Sequence, residues 1–437
     1  MRHFLLVLLT GIGLFFVQSA TFATGPQPAL PQVVDLPTAL SRAVEYNPGI
    51  QAARERIEEQ EGIRIELRSE ILPQLSANAR YTLFDRSLGD RGPGIPVADR
   101  DWTFGVQIRQ MVYAGGAIFS ALRAQDLRQE ASFYELQAVV EDVLFEVRQR
   151  FYAALLAEAQ LKVQEQTIEL LERELVDARN RFDAGTSSRF EVLRAEVELD
   201  NAQPGLIRSR NQIALAVDAL LQVMGVADYG DRGGVRIEGA FDEPDIRFNL
   251  AEAIERAFEQ RAELQRSERL VESGDAMLES QRKRRHPVVA AVGGYEWRKP
   301  FASNRLEDSE GGWQVGLEMN WNLWDGQRIN ARIQQAQSQL SQARISEVDA
   351  RLQIEFQVRQ AHSYLVEARE LVSAASRVVE RAEESLRLAQ DRQGSGAATQ
   401  LDVLSAQVAL STARANAVQA DHDLAVARAR LARAIGQ

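Results

Sequence analysis

The chain of 437 residues carries 51 Lys and Arg against 62 Asp and Glu, a formal net charge of −11, with 45% hydrophobic and 26% charged residues. That composition can bury a core and excludes a disordered polyelectrolyte, and the acidic balance argues against nucleic acid as a partner. Cysteine is absent and histidine occurs four times. Disulfide frameworks, thiolate zinc sites and cysteine nucleophiles are excluded, and little remains for imidazole metal centres.

The chain opens with Arg2 and His3, an apolar run from Phe4 to Val17, and small residues around Ala20 and Ala23. This pattern predicts a secretory signal peptide over residues 1–23. The run is shorter than the ~20 residues of a membrane-spanning helix, so a retained anchor is the lesser reading. Without a lipobox cysteine, no lipid anchor is expected on the mature N-terminus. No later stretch is long and uncharged enough to cross a membrane as a helix, so any spanning must be done by β-strands.

A long internal repeat follows. Leu36-Pro37-Thr38-Ala39-Leu40-Ser41-Arg42-Ala43 lies over Leu250-Ala251-Glu252-Ala253-Ile254-Glu255-Arg256-Ala257, an offset of 214 (36 to 250), which Pro73/Pro287 and Tyr81/Tyr295 keep. From Trp102/Trp313 onward the offset is 211 (102 to 313), through Val147-Arg148-Gln149 over Val358-Arg359-Gln360, Gly185/Gly396 and Gly225/Gly436. Two units are read, 24–225 and 249–437, joined by a Gly- and Asp-rich linker at 226–248.

In chain order, each unit is expected to hold a short helix, two strands and two very long helices. Strand windows at about 72–84, 101–112, 287–298 and 312–324 show period-two alternation. In the fourth, Trp313, Val315, Leu317, Met319, Trp321 and Leu323 alternate with Gln314, Gly316, Glu318, Asn320 and Asn322. Windows of ~10 residues suit tilted strands of an outer-membrane-type barrel, and Gly-, Pro- and charge-rich loops at 85–101 and 298–312 would close them as hairpins. All five tryptophans, Trp102, Trp297, Trp313, Trp321 and Trp324, fall in or beside these windows, forming a candidate aromatic girdle. A soluble sheet that buries them is the competing reading.

Long helices are predicted at about 115–183, 188–224, 326–392 and 399–435, in Ala-, Gln-, Glu-, Arg- and Leu-rich sequence. Ile329, Ile333, Ala336, Leu340 and Ala343, like Val140, Leu144, Val147, Phe151 and Ala154, have coiled-coil spacing. Glycine turns at Ala184-Gly185-Thr186-Ser187-Ser188 and Gly394-Ser395-Gly396-Ala397-Ala398-Thr399 would return each chain, with Ser188 and Thr399 as N-caps. Pro204-Gly205 is expected to kink the first returning helix.

Four strands cannot close a membrane barrel, so the chain must oligomerise if they span; the pattern leaves eight strands from two copies and twelve from three equally open. The tandem hairpin and helix-pair units, Leu72-Pro73, and the tip motifs around Gly185-x5-Glu191-Val192-Leu193 and Gly396-x5-Asp402-Val403-Leu404 resemble the TolC-type outer-membrane efflux proteins over essentially the whole mature chain. The resemblance implies a membrane α+β fold, in which two tandem repeats per chain form a trimeric 12-stranded transmembrane β-barrel continued by a periplasmic α-helical barrel. It also implies an outer-membrane channel-tunnel for drug or other efflux, or for type I secretion, acting with a periplasmic adaptor and an inner-membrane pump. Gly185, Thr186, Ser187, Gly396, Ala397 and Ala398 match the adaptor-docking tips, and Glu191 and Asp402 the acidic positions of the periplasmic gate. Rings of such acids would favour cations; the plainer reading is that each complements a helix N-terminus. Ala398 and Ser405 stand where the family pattern has a base and a second acid, which speaks against a salt-bridged lock.

Arg282-Lys283-Arg284-Arg285-His286 reads as a solvated helix end or a contact with anionic headgroups at the membrane rim. His362 and His422 read as packing or surface residues. No Walker loop, zinc-protease motif or nucleophile elbow occurs, so no enzyme, cofactor or metal is expected. A soluble periplasmic coiled-coil adaptor or scaffold is the alternative function, although it leaves the two-faced strands unexplained.

Overall fold

The computed structural model describes residues 32–85, 100–226, 235–241, 244, 249–300 and 305–437. The leader, much of the linker and the centres of both hairpin loops lie outside the described residues.

The first unit opens with two helices where the sequence suggested one short one: α1 (Leu36–Tyr46) and α2 (Pro48–Ser69). Asn47 breaks them because a residue before proline is pushed to extended backbone (φ −62°, ψ 125°), and its side chain then caps α2 through Gly49 and Ile50. Strands β2 (Gln74–Leu83) and β3 (Arg100–Tyr113) follow, then α3 (Ala117–Asp183, 67 residues) and α4 (Arg189–Val223, 35 residues). The second unit repeats the order as α5 (Leu250–Gln260), α6 (Ala262–Lys283), β5 (Val288–Arg298), β6 (Glu310–Asn320), α7 (Arg328–Gly394, 67 residues) and α8 (Gln400–Ala434, 35 residues). A two-residue parallel pair, β1 (Val33–Val34) with β4 (Arg236–Ile237), ties the linker back to the start of the first unit.

The four long strands form one antiparallel sheet in the order β2-β3-β5-β6. β6 stops at Asn320, short of the expected 324, because its partner begins at Val288, directly after Pro287, which has no N–H to extend the ladder. Trp321 and Trp324 therefore lie in the connection to α7 and not in a strand.

At 1.5 Å per residue, α3 and α7 are each ~100 Å long. Near the sheet, α3 packs on α2 and α6, and α6 on α7; farther out, α3 packs on α4 and α8, and α8 on α7. The helices thus stand side by side as α2-α3-α6-α7 beside the sheet and α4-α3-α8-α7 beyond it. α1 and α5 flank α3 and α7 and bury the two main cores, one around Val147, Phe151 and Tyr152 and one around Ile354, Val358 and Leu365. α4 remains one helix through Pro204, although the missing N–H leaves the Asp200 carbonyl without its i+4 donor.

Candidate functional site: a two-faced sheet and a helical tip

The strand register sorts the sheet into two chemistries. Leu75 pairs with Ile108, Tyr81 with Trp102, Phe104 with Trp297, Tyr295 with Trp313, Ala291 with Leu317, and Val289 with Met319. Side chains directly opposite one another share a face, so these residues build one continuous apolar surface across all four strands. On the other face lie Gln74, Ser76, Asn78, Arg80, Gln107, Arg109, Glu296, Gln314 and Glu318, with an Arg109–Glu318 ion pair of 3.0 Å spanning the small residues of β5. A soluble sheet would cover its apolar face. Here Trp313, Val315, Leu317 and Met319 are 65–78% exposed, a patch that demands lipid or protein.

The tryptophans divide between the two ends of this surface. Trp102, Trp297 and Trp313 lie toward the hairpin loops: Trp102 stacks on Tyr81 and donates to Ser309 Oγ (3.0 Å), while Trp297 packs on Phe104 and Tyr295. Trp321 and Trp324 lie at the helix end, where Trp321 donates to the Arg285 carbonyl (3.1 Å). Amphipathic rings thus stand at the loop end of the apolar surface and, from the connection to α7, at its helix end.

At the opposite extreme of the molecule are the helix turns. Gly185 and Gly396 have φ of +72° and +77°, and Thr186 and Ala397 donate back to Arg181 and Arg392 carbonyls at 2.9 and 2.8 Å, closing both long helices in the same way. Ser187 Oγ donates to Glu191 (2.5 Å), and Arg392 reaches the Ala397 carbonyl (3.2 Å); Ala398 follows, next to Thr399. Glu191 and Asp402 both stand at the third position of their returning helices. Asp402 completes a capping box with Thr399, and the Thr399 N–H and hydroxyl hold its carboxyl below the usual range, so it is charged at neutral pH. Both hydrogen bonds fall on Oδ2, which leaves Oδ1 without a protein partner among the described residues.

The repeat also sets a junction that the sequence reading missed. α4 ends against the start of α2, where Asn47 Nδ2 donates to the Val223 carbonyl (2.7 Å); α8 ends against the start of α6, where Arg261 donates to the Ala434 carbonyl (3.3 Å). Donors and acceptors correspond at the repeat offsets, 47 to 261 and 223 to 434. Around Arg261 the second unit adds charge: Glu263 bonds Arg261 (2.8 Å) and Arg433 (2.5 Å), and Arg433 also pairs with Glu141 (3.1 Å) and Asp142 (2.7 Å) of α3. Burial raises the Glu263 carboxyl, but hydrogen bonds and charge from Arg261 and Arg433 outweigh it and hold it at about 2. Extending the alignment past residue 43 would have paired Asn47 with Arg261.

An open four-stranded sheet with one apolar and one polar face, continued by a palisade of ~100 Å helices, has the build of a membrane-channel subunit with a long extramembrane part. The family model described as outer membrane efflux protein matches residues 39–226 and 253–437, and the chain belongs to that family. Outer membrane efflux protein BepC of Brucella suis biovar 1 (strain 1330) is 24% identical over 425 residues, covering 96% of this chain and 88% of that one. Among solved structures, CusC superposes with a TM-score of 0.80 at 17% identity, covering 92% of each chain, and the CmeC outer membrane channel of Campylobacter jejuni with 0.80 at 15%, covering 92% and 85%. The protein is thus an export channel of the outer membrane with a tunnel in the periplasm, and the soluble-scaffold alternative falls away.

Proposed function

We propose that three copies close the sheet into a twelve-stranded transmembrane barrel and the helix palisade into one tunnel, docked at its tip to a periplasmic adaptor and an inner-membrane pump. The observation that carries this reading is that the chain is open at both ends of both layers. β2 and β6 are free edges of the sheet, and α7 and α2/α4 are the free ends of the helix layers. In lipid an unpaired strand edge is untenable, so copies must pair β6 with the next β2. The choice of three over two follows the TolC-type resemblance. α7 also presents Ile345, Val348, Leu352 and Phe356, 60–68% exposed at coiled-coil spacing, as a seam for a neighbour.

In this assembly Trp102, Trp297, Trp313, Trp321 and Trp324 form the girdles against outer-membrane lipid, and the Gly185–Ser187 and Gly396–Ala398 turns form the adaptor-docking rim. Asp402 and Glu191 repeat as acidic rings at the periplasmic mouth, where like charge at close quarters favours cations. The cargo, small solutes for efflux or polypeptides for type I secretion, is selected by the pump. The test is the mass of the detergent-solubilised protein by light scattering with the micelle subtracted: about three times the chain mass, from outer-membrane fractions, is expected. A detergent-free monomer overturns the assembly.

A further inference from the structure

Directly below the sheet, α3, α6 and α7 enclose a groove of about 430 Å³ lined by Arg128, Arg284 and Arg332 together with Gln281, Gln335 and Gln339, and no carboxylate. Neither a hydrogen bond nor an ion pair joins these three guanidiniums to other described residues. Elsewhere on the same helices arginines stand beside acids: Arg359 beside Glu355, Arg387 beside Glu384 and Asp391, Arg269 beside Glu272. The charges of α6 are sorted as well. Met277, Gln281 and Arg284 share the groove face, while Glu272, Asp275 and Glu279 project from the opposite side of the helix. Three unpaired cations gathered in one groove repel each other unless an anion is present, and planar guanidiniums with carboxamide donors are the groups that grip oxyanions.

The groove can be assigned to a side of the wall. Arg284 and Arg332 also line an adjoining cavity whose lining includes Met111 and Val288. Met111 pairs with Ala290, which pairs with Glu318, and Val288 pairs with Asn320, so both lie on the polar face of the sheet. That face is the inside of the closed barrel. We propose that Arg128, Arg284 and Arg332 form an oxyanion-binding collar inside the conduit, just below the membrane, taking the phosphate, carboxylate or sulfate groups of solutes in transit. Repeated by the symmetry of the assembly, the collar gives the upper tunnel an anion preference opposite in sign to the acidic mouth.

The inference rests on the channel reading, and the experiment separates the two. Wild type and the Arg128→Gln/Arg284→Gln/Arg332→Gln variant are reconstituted in planar bilayers of neutral zwitterionic lipid, and the reversal potential is read under a KCl gradient. All three side chains are exposed, so the variant is expected to fold, and an unchanged oligomer mass verifies it. The expected result is a several-fold fall in anion-to-cation permeability, with inorganic phosphate blocking the wild type at about tenfold lower concentration than the variant. The matching Arg→Lys triple should keep the reversal potential, because charge is retained, while losing part of the phosphate block. Equal reversal potentials and equal block overturn the collar. A difference seen only when phosphatidylglycerol is added to the bilayer also overturns it, because the groove would then face lipid headgroups. A wild type that forms no channels fails the channel reading itself.

Discussion

Arg261 and Arg433 are 4% and 8% exposed, and three carboxylates, Glu263, Glu141 and Asp142, answer them across α3, α6 and α8. A buried guanidinium left without its partner retains the cost of desolvation, so the pair is sensitive to single substitutions. Glu263→Gln is expected to cost about 2 kcal/mol, less than the ~3–5 typical of a fully buried pair, because Glu263 is 31% exposed and solvent screens it. The pH dependence has a definite sign. A carboxyl at 4.5 unfolded and about 2 folded adds stability that is complete above pH 4.5 and drains away as pH falls toward 2. Glu141 offsets part of this, since burial raises its carboxyl. Thermal midpoints of wild type and variant measured from pH 7 down to 2 should converge at the acid end; parallel curves would refute the assignment. Asp402 differs in kind: it is solvent-exposed and its capping role is local. Asp402→Asn should leave the thermal midpoint nearly unmoved while lowering the cation preference of single channels at neutral pH, where the native carboxylate is charged.

Glycine acts differently at the two ends of α4 and its preceding turn. Gly185 sits in the tip turn with φ +72° and open space around a hypothetical Cβ, so Gly185→Ala should cost only the left-handed backbone penalty, ~1 kcal/mol. Gly225 has φ +74°, and a Cβ there would overlap the Tyr46 carbonyl and press on the Asn47 N–H, the stacking point of α4 on α2. Gly225→Ala should therefore cost ~3 kcal/mol or more, through strain plus steric overlap. Urea midpoints of the two variants give the comparison; equal losses would mean that the junction yields freely. Both glycines stand out in the sequence because Gly396 and Gly436 repeat them, and the long helices were legible for the same reason: their apolar stripes and bounds recur at the 211 offset. Other features have no such signal. The α5/α6 break lacks a proline after Arg261, the end of β6 is set by Pro287 just ahead of its partner strand β5, and the Arg433 cluster has no counterpart in the first unit, where Gln222 stands. Gln327 shows the reverse case. It holds a φ of +73° where its counterpart is Gly116, so the backbone repeats although the residue does not.

The duplication reaches beyond the single chain. Within it, α3 packs against α6 and α8 of the second unit, and Ser280 Oγ donates to the Ala117 carbonyl at 2.8 Å. The counterpart of α3 is α7, whose matching side is left open, and the counterparts of α6 and α8 are α2 and α4, which end the palisade on the other flank. In the assembly proposed above, quasi-equivalence places α7 of one copy against α2 and α4 of the next as α3 meets α6 and α8. The repeat offsets translate Ser280 to Glu66 and Ala117 to Arg328, so the hydroxyl-to-carbonyl contact inside the chain becomes an acid facing a base between chains. They also translate Glu141 and Asp142 to Leu352 and Gln353, and Arg433 to Gln222, so the ionic seam inside the chain becomes a neutral, partly apolar seam outside it. The chain contains no cysteine, which makes a direct test clean. Glu66→Cys/Arg328→Cys should oxidise in membranes to a ladder of linked dimers and trimers on non-reducing gels, because a contact equivalent to the 2.8 Å Ser280-to-Ala117 hydrogen bond brings the two backbones near the ~4.4–6.8 Å Cα separation a disulfide needs. Neither single variant should give the ladder. If the double variant stays monomeric, or closes only a bond within its own chain, the neighbouring copy does not sit where the internal repeat places it.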